Sequence, residues 1–320
     1  MPIPFIDMHC DTLMHAWEGR KDDIYDLSKT MLDVKRLQQG SAKAQFFAVF
    51  LQPVTGEVQV VQDDDSYIVE LVKILKNTLK RHDDTIAFAG SYLEMQKNYS
   101  EGKISAFLTI EDGRFVDGRM EKFEEYYQLG IRLVTLTWNH MNCFGYPNSF
   151  DPSIREKGLF AFGKEALEEM NRLGILIDVS HLSDGGFWDV ASISRKPFVA
   201  SHSNSRSLCN HPRNLTDDMI QAIGSSGGVI GINQCPEFLR MNCHESSMSD
   251  LIEHIKHIYS KGGKDTVALG SDFDGISGKL ALEGPQDYGY LAAALQKAGF
   301  TAEEVECIFY KNVERVLQNM

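Results

Sequence analysis

Short apolar runs alternate with stretches of helical spacing along this chain, and the alternation limits the folds that it can adopt. The run at 44–51, AQFFAVFL, has the pattern of a strand that is buried on both faces. The stretch that follows it at 63–81 repeats its apolar residues at helical spacing. Strands separated by helices predict βαβ units and a parallel sheet. Nine runs are strand candidates: 5–11, 44–51, 85–90, 104–111, 131–138, 175–181, 197–202, 228–233 and 266–272.

The residues that end these runs favour a barrel over an open sheet. No Gly-rich phosphate loop follows the first run, and metal-type residues end many runs rather than two that flank one crevice. A barrel gathers the carboxyl ends of all its strands around one mouth. We therefore predict an α/β fold, a (β/α)8 TIM barrel in a single domain over 1–320, with C-terminal helices at 288–298 and 301–319. The run at 85–90 is the one that we leave outside the eight strands.

Composition and charge exclude several classes of function. Hydrophobic residues make up 43% and charged residues 24% of the chain, which is an ordinary globular composition. The net charge of −13 argues against nucleic acid as a partner, because phosphate binding needs clustered Lys and Arg. No basic and apolar leader opens the sequence, and no stretch approaches the roughly 20 apolar residues of a membrane span. We expect no membrane partner and a cytoplasmic location.

The first run carries half of a possible metal site. Side chains at i and i+2 of a strand share a face, so His9 and Asp11 can aim an imidazole and a carboxylate at one point. Cys10 then points to the opposite face, where we expect it to pack in the core. A single His-x-Asp pair occurs easily by chance. The prediction gains weight because later runs also end in metal-type residues, at Glu111, His181, His202 and Asp272.

These residues would converge at the mouth of the predicted barrel. Imidazoles and carboxylates without a thiolate suit zinc or another divalent first-row ion. A catalytic zinc normally takes three protein ligands, so five candidates fit two ions that share a bridging carboxylate better than one ion. Glu111 is the natural bridge, since its strand lies in the middle of the order. The five predicted ligands are His9, Asp11, Glu111, His181 and His202.

Two ions about 3.5–4 Å apart lower the pKa of a shared water and polarise the carbonyl that the resulting hydroxide attacks, which predicts hydrolysis. Asp272, at the end of the last strand, would take the proton from that water and pass it to the leaving amine. Asp274 is close enough to share this role. We prefer Asp272 because it comes first after the apolar run.

Taken in order, these motifs closely resemble the membrane dipeptidase (renal dipeptidase) family of metallopeptidases, which belongs to the amidohydrolase-like barrels. Each fragment is weak, but their order along nearly the whole chain is specific. They are D-x-H-x-D at 7–11, I-E-D-G at 110–113, L-T-W-N at 136–139, D-V-S-H at 178–181, S-H-S at 201–203, H-P-R-N-L-T-D-D at 211–218 and G-S-D-F-D-G at 270–275.

The resemblance implies a binuclear zinc dipeptidase. It assigns His9 and Asp11 to the first zinc, His181 and His202 to the second, Glu111 to both, and Asp272 to catalysis. It also implies a small dipeptide as substrate, including dipeptides with a C-terminal D-residue. The family often forms homodimers, and the composition does not distinguish a dimer from a monomer.

Two further residues are predicted to bind substrate. Arg213 matches the substrate-binding arginine of the family, and a guanidinium can hold a terminal carboxylate with two parallel hydrogen bonds. His140 is a candidate donor to the carbonyl oxygen, although some members place that histidine where this chain has Trp138. The chain lacks the secretion, disulfide and lipid-anchor signals of the animal members, so it resembles the soluble bacterial branch.

The sequence leaves two rival hypotheses open. Another amidohydrolase-type enzyme, a lactonase or a deaminase, would use similar metals and a final-strand aspartate. Such enzymes usually open with His-x-His rather than His-x-Asp, and they lack the loop that carries Arg213. A noncatalytic barrel that serves as a binding module would fold without metal.

Overall fold

The strands of this protein run parallel throughout the described residues, which in the computed structural model are 3–52 and 63–320. A sheet of this kind needs a crossover between successive strands, and helices supply it. The strands are β1 (Phe5–Asp7), β2 (Ala42–Phe50), β3 (Ile86–Phe88), β4 (Ile104–Glu111), β5 (Ile131–Thr135), β6 (Leu176–Asp178), β7 (Ile230–Ile232) and β8 (Val267–Leu269).

The sheet closes into a barrel. Its neighbouring strands follow the order β6-β5-β4-β2-β1-β8-β7. The extended segment 197–200 joins the two ends of this path, since Val199 forms a bridge with Asp178 of β6 and Ala200 forms one with Ile230 of β7. The predicted (β/α)8 barrel is therefore confirmed, and this segment occupies one of its eight strand positions.

The strand β3 lies outside the ring, as the sequence predicted. It pairs with the first half of β4, from Ile104 to Ala106. On the same side β5 pairs with the second half of β4, from Leu108 onward. Because β5 takes the upper part of that edge, β3 extends the sheet only at the opposite end of the barrel from the mouth.

Several predicted strands were too long at their carboxyl ends. β1 ends at Asp7, β6 at Asp178 and β8 at Leu269, so residues 8–11, 179–181 and 270–272 leave the regular ladder. The segment 197–202 makes only isolated bridges. The polar ends of these runs turn toward the mouth instead of continuing the hydrogen-bonded pattern.

Helices cover the outside of the barrel. The helical spacing at 63–81 is confirmed by α3, which begins at Asp64 after an N-cap at Asp63, whose side chain accepts a hydrogen bond from Ser66 N. The helices α1, α6 and α10 were not predicted. The helices are α1 (Thr12–Glu18), α2 (Val34–Gln39), α3 (Asp64–Arg81), α4 (Tyr92–Ser100), α5 (Glu121–Leu129), α6 (Pro152–Arg155), α7 (Ala161–Leu173), α8 (Asp184–Ile193), α9 (Asp217–Ser225), α10 (Pro236–Leu239), α11 (Met248–Gly262), α12 (Tyr288–Lys297), α13 (Ala302–Glu306) and α14 (Asn312–Leu317).

The last predicted helix, 301–319, is interrupted. A π-helical turn, Cys307–Lys311, separates α13 from α14. Short 3-10 turns occur at Gly113–Val116 and Pro285–Asp287. No helix within 3–52 and 63–320 is both long and apolar enough to cross a membrane.

The inside of the barrel is packed rather than hollow. Val313, Val316 and Leu317 of α14 join the interior cluster, and Glu314 pairs with Lys43 near the start of β2. The C-terminal helix thus closes the end of the barrel where the strands begin, which leaves the mouth as the open end. The cluster also contains residues of the strands and of the segments next to them, namely Ile6, Met8, Ala44, Phe46, Phe107, Leu133, Leu176, Val199, Val229 and Ala268.

Candidate metal centre

The structure brings the six predicted metal and catalytic residues together at the mouth. They follow or end five different parts of the ring, since His9 and Asp11 both follow β1, and each is at most 8% exposed. The predicted position of Cys10 is also confirmed, because it is buried in the core and its thiol faces Phe46 O rather than the mouth. The six residues are His9, Asp11, Glu111, His181, His202 and Asp272.

Glu111 stands between two groups of side chains. Its Oε2 atom lies 3.3 Å from His9 Nε2. Its Oε1 atom lies 3.0 Å from His181 Nε2 and 3.5 Å from His202 Nε2. One carboxylate therefore offers a different oxygen to each group, as a bridging ligand would.

The group on the Oε2 side contains one imidazole and two carboxylates. Asp11 Oδ2 lies 3.3 Å and Asp272 Oδ1 lies 3.7 Å from His9 Nε2. We call His9, Asp11 and Asp272 the first half-site. On the Oε1 side, His181 Nε2 and His202 Nε2 lie 3.0 Å apart. We call these two imidazoles the second half-site.

The donor set fits divalent metal ions. Both ring nitrogens of His9 and the Oδ1 atom of Asp11 are buried and have no hydrogen-bond partner within 3–52 and 63–320. Two ligands at about 2.1 Å from one zinc in tetrahedral geometry are about 3.4 Å apart, close to the separations seen around His9 Nε2. Two sets of ligand atoms lie mutually within 4.8 Å, namely His9 with Glu111 and His202, and His9 with Asp11 and Asp272.

Electrostatics distinguish the two half-sites. Burial opposes a charge on His9, but Glu111 and Asp11 raise the pKa of His9 well above its ordinary value. Burial also opposes a charge on Glu111, yet His9 and the other two imidazoles hold the pKa of Glu111 well below its ordinary value. Burial raises the pKa of Asp11 to about 7 and raises that of Asp272 as well. Without a metal ion, the carboxylates of the first half-site are therefore balanced by protons.

The second half-site has the opposite tendency. Burial, together with the nearby Arg213, lowers the pKa of His181 to about 4. Burial and the nearby His9 lower the pKa of His202 well below its ordinary value. Both imidazoles are therefore neutral at pH 7, and neutral imidazole is the form that binds a metal.

The surroundings fix the orientation of His181. Its Nδ1 atom lies 3.0 Å from Asn139 Oδ1. Because an amide oxygen only accepts hydrogen bonds, Nδ1 carries the ring proton and Nε2 keeps its lone pair toward Glu111. Asn139 was not predicted as a site residue. Its only signal was its position in the L-T-W-N motif.

Asp272 is also held in place. Asn233 Nδ2 donates to Asp272 Oδ2 at 2.8 Å, which leaves Oδ1 facing His9. The backbone of Asp272 has a φ of 63° and that of His181 a φ of 68°, conformations that favour glycine. Residues strained in this way cluster at functional sites. The sequence reasoning missed the role of Asn233, because no short-range pattern connects it to Asp272.

The structure separates Asp272 from Asp274. Asp274 Oδ2 accepts a hydrogen bond from Thr12 Oγ1 at 2.6 Å, and its Oδ1 accepts one from Met31 N at 2.6 Å. Both oxygens therefore accept hydrogen bonds from the protein, and the side chain connects α1 and the 31–33 loop to the segment that follows β8. Asp274 thus has both carboxylate oxygens bound by other groups, whereas Asp272 keeps its Oδ1 atom facing His9.

The two predicted substrate-binding residues differ in position. Arg213 is 5% exposed and donates from Nη1 to Ser203 Oγ at 3.3 Å and from Nη2 to His202 O at 3.1 Å, while its Nε finds no partner among the described residues. His140 is exposed, with its ring 5.7 Å from that of Trp138. It lies outside the lining of the cavities beside the half-sites, whereas Trp138 lines one of them.

Two cavities meet at the second half-site. One, of about 330 Å³, reaches both half-sites, and the charged side chains that line it in the described part of the chain are all carboxylates: Asp11, Glu111, Glu237 and Asp272. The other, of about 480 Å³, is lined by Arg213 and contains no carboxylate among its lining residues within the described chain. Asn139, His181 and Phe238 line both cavities. The mouth thus has an acidic side and a basic side.

Comparison with known proteins places these observations in a family. The profile of the membrane dipeptidase family, peptidase family M19, matches residues 1–320. An uncharacterized dipeptidase of Schizosaccharomyces pombe is 31% identical over 300 residues, covering 89% of this chain and 71% of that protein. An uncharacterized protein encoded in the pqqA 5′ region of Klebsiella pneumoniae is 36% identical over 230 residues, covering 69% of this chain and 84% of that protein.

Solved structures share the fold. The crystal structure of dipeptidase AC, a metallo peptidase of family M19, superposes with a TM-score of 0.91 at 25% identity and covers 100% of this chain and 99% of its own. A metallo peptidase from Rhodobacter sphaeroides, liganded with a phosphinate mimic of the dipeptide L-Ala-D-Ala, also has a TM-score of 0.91, at 23% identity, with 100% and 99% of the two chains covered.

Proposed function

Since this chain belongs to the membrane dipeptidase family and is a metal-dependent dipeptidase, we propose that it hydrolyses dipeptides with two divalent ions, zinc in the first instance, held on either side of Glu111. The observation that carries the proposal is the position of the Glu111 carboxylate, whose two oxygens face different half-sites. A carboxylate in that position can serve two ions at once. In a site for one ion, the imidazoles of His181 and His9 would not need to approach separate oxygens.

The residues that would hold each ion follow from the half-sites. His9 and Asp11 would bind the first ion, His181 and His202 the second, and Glu111 both. When bound, such a pair of ions lowers the pKa of a water molecule and polarises the carbonyl of the peptide bond. The imidazoles are preorganised for this role, since neutral His181 directs its Nε2 lone pair toward Glu111.

Asp272 is the proposed proton carrier. Its Oδ1 atom faces the first half-site, while Asn233 fixes the other oxygen at 2.8 Å. A carboxylate within hydrogen-bond reach of the attacking water can accept its proton and donate it to the departing amine as the peptide C–N bond breaks. Burial raises the pKa of Asp272, which brings the group closer to the pH at which both steps are efficient.

The charges of the two cavities suggest how a dipeptide lies across the site. A dipeptide carries an ammonium group at one end and a carboxylate at the other. The acidic cavity suits the ammonium group, and Arg213 beside the second cavity suits the carboxylate. We further propose that dipeptides with a C-terminal D-residue are accepted. The relative from Rhodobacter sphaeroides with a bound mimic of L-Ala-D-Ala supports this proposal.

One experiment tests the proposed function. Purified protein is analysed for metal and assayed with L,L and L,D dipeptides, a lactone and a nucleoside, before and after chelation. We expect two ions per chain and cleavage of both kinds of dipeptide, with activity lost on chelation and restored by zinc. Activity only on the lactone or the nucleoside would favour another amidohydrolase-type enzyme. Well under one ion per chain and no hydrolysis would favour a noncatalytic barrel.

A further inference from the structure

A chain of buried hydrogen bonds leads from the second half-site into the barrel wall. The Nδ1 atom of His202 lies 2.7 Å from Ser201 Oγ, and Ser201 Oγ lies 2.5 Å from Asp178 Oδ2. His202, Ser201 and Asp178 are completely buried. Asp178 ends β6, whereas Ser201 and His202 follow the segment 197–200. These hydrogen bonds therefore also connect two neighbouring strands of the barrel.

The direction of these hydrogen bonds can be deduced from the donors around Asp178. Its Oδ1 accepts from Ser180 N at 3.0 Å and from Ser201 N at 2.8 Å. Its Oδ2 accepts from Thr135 Oγ1 at 2.7 Å as well as from Ser201 Oγ. Four donors thus surround one carboxylate. The single hydroxyl proton of Ser201 is therefore directed at Asp178, since two oxygens 2.5 Å apart without a proton between them would repel.

The direction of the Ser201 hydroxyl proton determines which nitrogen of His202 is protonated. With its proton directed at Asp178, the Ser201 hydroxyl offers only lone pairs to His202, so Nδ1 of His202 must donate. The next nearest hydroxyl, Ser180 Oγ, is 3.5 Å from Ser201 Oγ and does not change this direction. A neutral imidazole with its proton on Nδ1 has its lone pair on Nε2, the atom 3.5 Å from Glu111 Oε1.

We propose that Asp178 and Ser201 are positioning residues: through Ser201, Asp178 holds His202 in the Nδ1–H tautomer and aims its Nε2 lone pair at the metal ion beside Glu111. This inference rests on the proposed two-ion site. Partners of this kind, placed behind a metal-binding histidine, typically change metal affinity by about 10–100-fold. The role belongs to the second half-site alone.

The first half-site has a matching carboxylate that lacks this connection. Asp7 Oδ1 accepts from Ser271 N at 3.0 Å and from His9 N at 3.3 Å, much as Asp178 binds two backbone N–H groups. The Ser271 hydroxyl, however, donates to His9 O at 3.2 Å and not to an imidazole. The Oδ1 atom of Asp7 therefore holds only backbone N–H groups, whereas Asp178 is connected through Ser201 to a ring nitrogen of His202.

The test compares Ser201→Ala with Thr135→Val in the metal-loaded protein. Both changes remove one hydroxyl that donates to Asp178 Oδ2, but only Ser201 also contacts His202. The affinity of each ion is measured by competition with a chelator. We expect Ser201→Ala to weaken one of the two ions by about 10–100-fold and to leave the other unchanged. Thr135→Val should leave both affinities near those of the parent protein.

A spectroscopic measurement reports on the imidazole itself. Long-range 1H–15N spectra of histidine-labelled protein identify which nitrogen of His202 bears the proton and which binds zinc. We expect a slowly exchanging Nδ1–H signal with zinc on Nε2 in the parent protein and in Thr135→Val, and rapid exchange of that proton in Ser201→Ala. Thermal unfolding of each variant reports the change in stability separately.

Two results would overturn the inference. The first is zinc on Nδ1 of His202 in the parent protein, a result that stands even if Ser201→Ala does not fold. The second is an equal loss of metal affinity in Ser201→Ala and Thr135→Val, because the hydroxyl of Ser201 would then serve only to satisfy Asp178. Failure of the proposed function has another signature, namely two tightly bound ions without dipeptide cleavage, or a single ion.

Discussion

The two half-sites on either side of Glu111 differ in the groups that they offer to a cation. The first combines the His9 imidazole with the carboxylates of Asp11 and Asp272. Within the described residues, no hydrogen-bond partner holds the His9 ring at its Nδ1 atom. The second contains two neutral imidazoles whose Nδ1 atoms are engaged by Asn139 and Ser201. The first therefore attracts an ion by charge, whereas the second offers lone pairs that are already aimed.

The two half-sites also differ in protonation, although the same Glu111 carboxylate faces both. A raised pKa at His9 and lowered pKa values at His181 and His202 mean that, without metal, a proton resides at the first half-site and not at the second. An ion that enters the first half-site must displace that proton. Asp272, the proposed proton carrier, belongs to the same half-site.

The largest effect is expected from removing the bridge that both half-sites share. Glu111→Gln should lower the content of both ions, and we expect activity to fall about 10³-fold or more, since several kcal/mol of Lewis-acid stabilisation are lost. Metal analysis and dipeptide hydrolysis measure the two effects. Asp112→Asn is the matched control, because the Asp112 carboxylate accepts from Asn142 and Arg114 instead of facing an imidazole. Equal metal loss in both variants would contradict the bridging role.

A change confined to the first half-site separates proton transfer from metal binding. Asp272→Asn should reduce kcat by about 10²–10⁴-fold, the usual contribution of general acid–base catalysis, while the ion of the second half-site stays bound. Asp274→Asn is the matched control, and we expect it to keep catalysis but lose about 1–3 kcal/mol of stability, because one of its buried hydrogen bonds is broken. Comparable loss of kcat in Asp274→Asn would contradict the assignment.

Steric pressure can disturb the first half-site selectively. A Cβ atom at Gly275 would lie 2.1 Å from Asp11 Oδ2 and 2.6 Å from Asp272 Oδ1. We expect Gly275→Ala to weaken the first ion by about 10–100-fold, which corresponds to an overpacking cost of about 1–3 kcal/mol, and to spare the second ion. Gly289→Ala is the control, because a Cβ there meets nothing within 4 Å. Chelator competition would contradict the account if the second ion were lost first.

Lowering the pH should separate the half-sites without any mutation. Metals bind the deprotonated ligands, so a proton competes with the ion below the ligand's pKa. The pKa of Asp11 is raised to about 7 and that of His181 is lowered to about 4. As the pH falls from 8 to 4, we therefore expect the first ion to leave before the second. Metal retained after dialysis at each pH measures this order, and simultaneous release would contradict it.

The sequence predicted the barrel and the meeting of the six residues for a physical reason. Parallel strands bring their carboxyl ends to one mouth, so a polar residue at the end of each apolar run must lie there. The preference for Asp272 over Asp274 rested on the same argument. The single domain over 1–320, the cytoplasmic location and the homodimer stay predictions.

Other features could not be read from local pattern. The ends of β1, β6 and β8 leave the ladder because tertiary hydrogen bonds replace it, as Asp7 and Asp178 illustrate. Those bonds join residues that are far apart in the chain, such as Asp178 with Ser201, and no periodicity records them. Asn233 escaped notice for the same reason. The helix α1, which the sequence did not predict, starts directly after Asp11.

Anomalous diffraction from crystals of the zinc-loaded protein shows whether two ions share Glu111. We expect two anomalous peaks per chain, one between His9, Asp11 and Oε2 of Glu111, and the other between His181, His202 and Oε1. A single peak at full zinc occupancy, or two peaks on the same side of the Glu111 carboxylate, would contradict this expectation.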